Sequence, residues 1–323
     1  MTRLPLVSPL DRALFLKAQH YLDHLPAEIL AALASCSEER FFSAGSVVRE
    51  PGVQSTPVFF LATGAVEFGA PDGVDAPGFR IEAPEAVGLA HLFAQTQFPP
   101  GIYAVEDTLL LEIAKRDFEQ IIEDHFALFL QVAQANCEST IMLYRELGQD
   151  RPAAEGFRQA TRDSTHDPIH KTTSVELDLV HRLAQIKHVP FLEGTNLTIL
   201  AEILRSCDPR RLEAGEAVWR EGDPIDELVL LLEGRAHSEG PSGIHHAPAG
   251  ATLGAWELFS EEPRIESWIA GEPCRIVSVS RALFIDLLED HFEFSQAYLR
   301  RTSQGIVDAW DALARRRARE RRS

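Results

Sequence analysis

No uninterrupted apolar run in the 323 residues approaches the ~18–20 that a membrane-spanning helix needs, so no transmembrane segment is expected. The opening residues, MTRLPLVSPLDR, lack the basic-then-apolar order of a signal peptide. Cysteine is scarce: Cys36, Cys137, Cys207 and Cys274 lie far apart with no CxxC pair. A chain of this length buries its own core without disulfide staples, so we expect reduced thiols in a cytoplasmic protein and no zinc site. Positive charge is also in deficit, with 31 Lys and Arg against 49 Asp and Glu and a net charge of −18. An acidic field repels nucleic acid at long range, which argues against DNA as a partner of the body of the protein. The chain has no GxxxxGK[ST] loop, HExxH, GxSxG or Rossmann glycine pattern, and we expect no enzymatic activity. The ten residues after Leu313 are too few for a DNA-reading module.

What is present is a duplication. The stretch IIEDHF, Ile121 to Phe126, returns as LLEDHF, Leu287 to Phe292, 166 residues later. At an offset of 170, Gly45, Gly52 and Gly64 fall on Gly215, Gly222 and Gly234, AGSVVREPG falls on AGEAVWREG, and FFLATGAV falls on VLLLEGRA. Further on the offset is 166, as though the second copy had lost four loop residues: Gly88 meets Gly254, HLF meets ELF, and Ala104 meets Ala270. A unit of about 140 residues is too long for a solenoid repeat, so each copy is expected to be a complete domain.

Within each copy helices come first. LPAEILAALA places Pro26 in the first turn and Ile29, Leu30 and Leu33 on one face. NLTILAEILRS is its counterpart, and a further helix is expected from Ser174 to Lys187, opened by a capping box of Thr173 and Glu176. Short strands punctuated by glycine follow, the rhythm of a small antiparallel roll. Each copy closes with a long helix, from about Arg116 and from Arg281, with Ile121, Ile122 and Phe126 locking the first against its roll. The expected fold is α+β: two tandem β-rolls of jelly-roll type with flanking helices. The domains read as 1–148 and 174–314, with a polar linker at 149–173 and a basic tail at 315–323. The linker's His166 and His170 have metal-pair spacing, but Pro168 between them disfavours a helix, so they read as solvated loop histidines.

The second copy runs LEAGEAVWREGDPIDELVLLLEGRA, then AGATLGAWELFSEEPRIES, then CRIVSVSRALFIDLLEDHF. This resembles the cyclic nucleotide-binding domain superfamily, strongly in the second copy and more loosely in the first. The tandem layout is similar to the regulatory subunit of cAMP-dependent protein kinase, and the single domain to the sensor half of catabolite-activator/FNR-type regulators. The resemblance implies a phosphate-binding cassette of the form F-G-E-L-A-L…P-R-A-A. Its arginine and backbone N–H groups hold the cyclic phosphate, and its glutamate holds the ribose hydroxyl. In the second copy Gly254 and Arg264 match, Ala255 stands for the glutamate, Trp256 follows it, and Ile265 and Glu266 replace two small residues. Glu257 stands two residues late, in the wrong direction for the ribose. The first copy keeps Gly88, but Leu89 replaces the glutamate and Phe98 the arginine, leaving nothing in the cassette to balance a phosphate.

Two functional readings follow. One is a regulatory or scaffolding protein that binds protein partners through rolls whose pockets have decayed, with no cofactor. The other is a sensor whose second domain takes cAMP, cGMP or another small anion through Gly254, Ala255, Trp256, Arg264 and Ile265. The apolar stripe Ile306, Ala309, Trp310, Leu313 on the last helix either packs on its own roll or mediates homodimerisation. The tail, with Arg315, Arg316, Arg317, Arg319, Arg321 and Arg322, is either a frayed helix end or a contact for an acidic partner, RNA or an anionic membrane.

Overall fold

A computed structural model describes residues 8–53, 57–69, 79–94, 101–150, 183, 186, 187, 189–240 and 243–320. Phe98, His166, His170, the capping box at Thr173, most of the helix expected from Ser174, and Arg321 and Arg322 lie outside the described residues.

Both copies build eight strands in the same order between flanking helices. The first has helices α1 (Pro9–Lys17) and α2 (Ala27–Cys36), then strands β1 (Ser37–Phe42), β2 (Val47–Arg49), β3 (Val58–Thr63), β4 (Ala65–Gly69), β5 (Arg80–Glu82) and β6 (Glu85–Val87). A short helix α3 (Leu89–Phe93) follows, then β7 (Gly101–Ala104), β8 (Thr108–Ile113) and helices α4 (Lys115–Asp124) and α5 (Phe126–Leu147). The second has α6 (Leu197–Ser206), β9 (Pro209–Leu212), β10 (Ala217–Trp219), β11 (Glu227–Glu233), β12 (Arg235–Glu239), β13 (His246–Pro248), β14 (Thr252–Leu253), β15 (Ser267–Ala270) and β16 (Cys274–Ser280). Helices α7 (Arg281–Asp290) and α8 (Phe292–Glu320) close it. The copies differ in that a short helix lies between β6 and β7 in the first where turns join β14 to β15 in the second.

Each roll is a pair of four-stranded antiparallel sheets with matching connectivity. The orders are β1-β8-β3-β6 and β2-β7-β4-β5 in the first, and β9-β16-β11-β14 and β10-β15-β12-β13 in the second. The two sheets of a roll turn their apolar faces inward, as a sandwich must to bury both. Phe59, Leu61, Val66, Val87, Ile102 and Leu110 fill the first. The second is filled by Val229, Leu231, Leu253, Trp219, Trp268 and Ile276, among others.

The aligned glycines are in register for a backbone reason. Gly64 and Gly234 have φ of +84° and +87°, and a Cβ on either would come within 2.5 Å of the Asp107 carbonyl and 2.6 Å of the Pro273 carbonyl, just ahead of β8 and β16. Only glycine accepts both the left-handed conformation and that approach.

The long closing helix expected in each copy is two helices. The repeated hexapeptide straddles the break: α4 ends before His125 and α7 before His291, both in extended conformations. Ile121, Ile122, Leu287 and Leu288 are buried, as are Phe118 and Phe284 a turn earlier, whereas Phe126 is half-buried. After the break the first parts of α5 and α8 remain with their own copy, and only their far ends leave it.

The residues group into two compact units: 1–136 with 302–323, and 137–301. The divisions fall inside α5 and α8. Each unit is therefore one roll together with the far end of the other copy's long helix.

Candidate ligand sites in the two rolls

In the second roll the chain turns at Gly254 (φ +78°) and runs through a series of turns to Ser260 before reaching Pro263 and Arg264. The E-G-D segment fixes the far end of this loop. The Asp223 carboxylate accepts from the Arg220 N–H at 2.7 Å and caps the turn. Gly222 N donates to the Arg264 carbonyl and Arg264 N donates to the Asp223 carbonyl, both at 2.9 Å. The sequence signature is thus the clamp that holds the arginine's backbone.

The Arg264 side chain is 1% exposed and turns inward. Its Nη1 donates to the Glu257 carboxylate at 2.6 Å, and its Nη2 donates to the Glu227 carbonyl on β11. The guanidinium lies over the Trp219 ring, 3.8 Å from its centroid, a cation–π contact in a desolvated setting. A Cβ at position 254 would meet Nη1 at 2.4 Å and Trp219 at 3.1 Å, so the glycine makes room for this internal cluster. Glu266 is buried beside it: its carbonyl accepts from Trp219 Nε1 at 3.1 Å and its carboxylate accepts from Trp268 Nε1 at 3.0 Å. A buried guanidinium needs a counter-charge, and this roll supplies its own.

The remaining expected site residues fall around this cluster. Ala255 is buried and its carbonyl accepts from the Tyr298 hydroxyl at 3.0 Å. Trp256 is half-buried and leaves the roll interior: its ring meets Tyr144 of α5 at 5.1 Å, and its carbonyl accepts from Cys137 Sγ at 2.8 Å. Ile265 is half-buried and, with Arg145, Glu221, Gly222, Glu262, Pro263 and Arg264, lines a surface cavity of about 330 Å³. The tryptophans in the roll core are Trp219 and Trp268, from β10 and β15. Glu257, set aside in the sequence because it faces away from a ribose, faces the arginine instead.

The first roll solves the same position differently. Gly88 (φ +100°) opens α3, and Lys115 Nζ donates to the Leu92 carbonyl at 2.7 Å. His91, the counterpart of Glu257, stacks on Phe68 with ring centroids 5.5 Å apart. Arg49, the counterpart of Trp219, is buried at 5% exposure on β2. Burial lowers the Arg49 pKa to about 10, and burial together with the Arg49 charge lowers that of His91 to about 4. The expectation that nothing balances a phosphate concerned the cassette alone, and the buried cation of this roll lies outside it. The cation comes from a strand, where cassette alignment does not look.

The last helix's stripe is also accounted for. Ile306, Ala309 and Leu313 are buried, and half-buried Trp310 meets Phe79 edge-on at 3.9 Å. The roll under this stripe belongs to the first copy, which neither sequence reading offered. In the tail, Arg317 lies over Phe79 at 5.1 Å and Arg316 pairs with Glu320 at 3.6 Å, whereas Arg315 and Arg319 are exposed. Among the described residues no group of His, Cys, Asp and Glu could hold a metal ion, and no helix is long and apolar enough to cross a membrane.

The cyclic nucleotide-binding domain family matches residues 39–125 and 209–291, together more than half of the sequence. The chain belongs to that family, with two tandem domains. A cyclic nucleotide-gated potassium channel of Mesorhizobium japonicum is 28% identical over 121 residues, 38% of this chain and 34% of the channel. The chain thus spans about a third of that relative's length. Among solved structures, the cAMP complex of the regulatory domain of Toxoplasma gondii PKA covers 88% of this chain and 95% of its own, at 15% identity and a TM-score of 0.32. The sensor domain of the transcriptional regulator DNR from Pseudomonas aeruginosa covers 37% of this chain and 83% of its own, at 24% identity and a TM-score of 0.33.

Proposed function

We propose that this is a non-enzymatic regulatory protein that acts through protein–protein contacts, and that its second domain is closed to cyclic nucleotides by its own residues. One observation carries this reading: the arginine that would face a cyclic phosphate is spent on Glu257, the Glu227 carbonyl and Trp219. An incoming phosphate would have to displace a carboxylate already 2.6 Å from the guanidinium, in a site from which water is excluded. The domain pair then serves as a scaffold for a protein partner, and the exposed Arg315 and Arg319 offer an acidic partner a contact. Calorimetric titration with cAMP and with cGMP tests the reading. A flat trace at millimolar ligand is expected; heat saturating at one site per chain, and lost in Arg264→Ala, would overturn it.

A sensor of cAMP, cGMP or another small anion is the second reading. It is favoured by family membership and by the retention of Gly254 and Arg264 in family positions. It requires Glu257 to swing away from Arg264 on binding, so Glu257→Gln would raise nucleotide affinity under this reading.

A further inference from the structure

The long helices carry aromatic residues at equivalent repeat positions, Tyr144 on α5 and Trp310 on α8, 166 residues apart. Neither lies on the roll of its own copy. In the second unit, the end of α5 holds the loop from Gly254 to Ile265 near both its ends. Cys137 and Tyr144 grip Trp256, and Arg145 Nη2 pairs with the Glu262 carboxylate at 2.6 Å. In the first unit, Trp310 and Arg317 of α8 hold Phe79. The Phe79 carbonyl accepts from Phe68 N at 3.2 Å, and Phe68 is the ring on which His91 stacks. The contacts therefore run from each helix end to the candidate site of the roll it covers.

We propose that the end of each long helix is a latch on the other repeat's site loop, so that the two rolls are coupled reciprocally through α5 and α8. Cys137 and Tyr144 are buried under the grip, but its outer edge is an ion pair whose side chains are about half exposed, Arg145 at 53% and Glu262 at 54%. Contacts of that kind open locally while the strands beneath stay folded. Because linkage is reciprocal, whatever binds one roll and shifts its loop changes the affinity of the helix end for it, and so the state of the other copy. The inference goes beyond the scaffold reading and holds whether or not the second roll takes a nucleotide.

Amide hydrogen exchange on the full chain, without ligand, tests it. In Tyr144→Ala, amides from 254 to 265 should lose protection by roughly tenfold, the change expected for one lost aromatic contact. In Arg145→Glu the loss should be smaller, about two- to fivefold, as for an exposed ion pair. Amides of β11 and β16 should not change. The charge-swapped double variant Arg145→Glu/Glu262→Arg should regain protection, which a loss of core packing would not allow. In Trp310→Ala the same loss should appear in residues 79–87. Unchanged loop exchange in both single variants would overturn the latch, and so would loss spread equally over β11 and β16 without recovery in the swap. A nucleotide titration that contradicts the scaffold reading leaves this result untouched.

Discussion

Two ion pairs in the second unit have the same separation and should differ several-fold in worth. Arg264–Glu257 and Arg145–Glu262 are both 2.6 Å apart. The first pair is 1% and 2% exposed, the second 53% and 54%. Removing the charge of Glu257 in Glu257→Gln leaves a buried guanidinium with a neutral partner, a carbonyl and an indole face. Stranding a buried charge in this way costs about 3–5 kcal/mol. The exposed pair, screened by water, is worth about 0–1 kcal/mol. Urea denaturation followed by tryptophan emission reads the difference, since Trp219 lies directly on the affected guanidinium. With a slope of about 2–3 kcal/mol per molar, Glu257→Gln should lower the midpoint by ~1–2.5 M. Arg145→Ala should lower it by less than ~0.5 M. The double variant Glu257→Leu/Arg264→Met should recover most of the loss, because apolar side chains of similar volume need no counter-charge. If Glu257→Gln unfolds within ~0.3 M of the wild type, the guanidinium is solvated and the self-occupied site is refuted.

Three further outcomes are expected. His91 has a folded-state pKa near 4 against an ordinary value near 6.5, so the unfolded chain takes up the proton first; stability should fall as pH drops from about 6.5 toward 4, and His91→Phe should flatten that part of a thermal-melt pH profile. Burial pushes the thiols of Cys36 and Cys137 up to about 11 and about 12, and Cys207 and Cys274 are also buried, so a disulfide-exchange reagent at pH 8 should react slowly with native protein and fast in denaturant. Gly234→Ala combines a φ of +87° with a Cβ 2.6 Å from the Pro273 carbonyl and should lower the melting temperature by several degrees, whereas Gly215→Ala, whose Cβ would have open space, bears only the conformational strain and should cost less.

The duplication and the rolls were legible because their signals are local. A glycine at a positive φ must recur wherever the turn recurs, and alternating apolar strands between such turns leave few alternatives to a roll. The helix break was not legible, because neither hexapeptide contains proline or glycine. His125 and His291 stop a helix through packing that the sequence does not display. The site was half legible. Gly254 and Arg264 stood out, but the partners of Arg264 are a glutamate seven residues back and a tryptophan on a distant strand, and no spacing rule links the three. Arg49 was hidden for the same reason, since it reaches its roll from β2. The stripe of Ile306, Trp310 and Leu313 announced a buried face; periodicity says that a face is covered and is silent on what covers it.

The exchange of helix ends also sets the order in which the protein can be made. Synthesis proceeds from the N-terminus, so the first roll leaves the ribosome long before the segment from Thr302 that completes its unit. Phe79 waits uncovered while some two hundred residues are added, and the N-terminal domain reaches its final packing among the last. Chain termination in α8 just after Arg301 would therefore injure the domain furthest from it in sequence, leaving the second roll whole and the first one exposed.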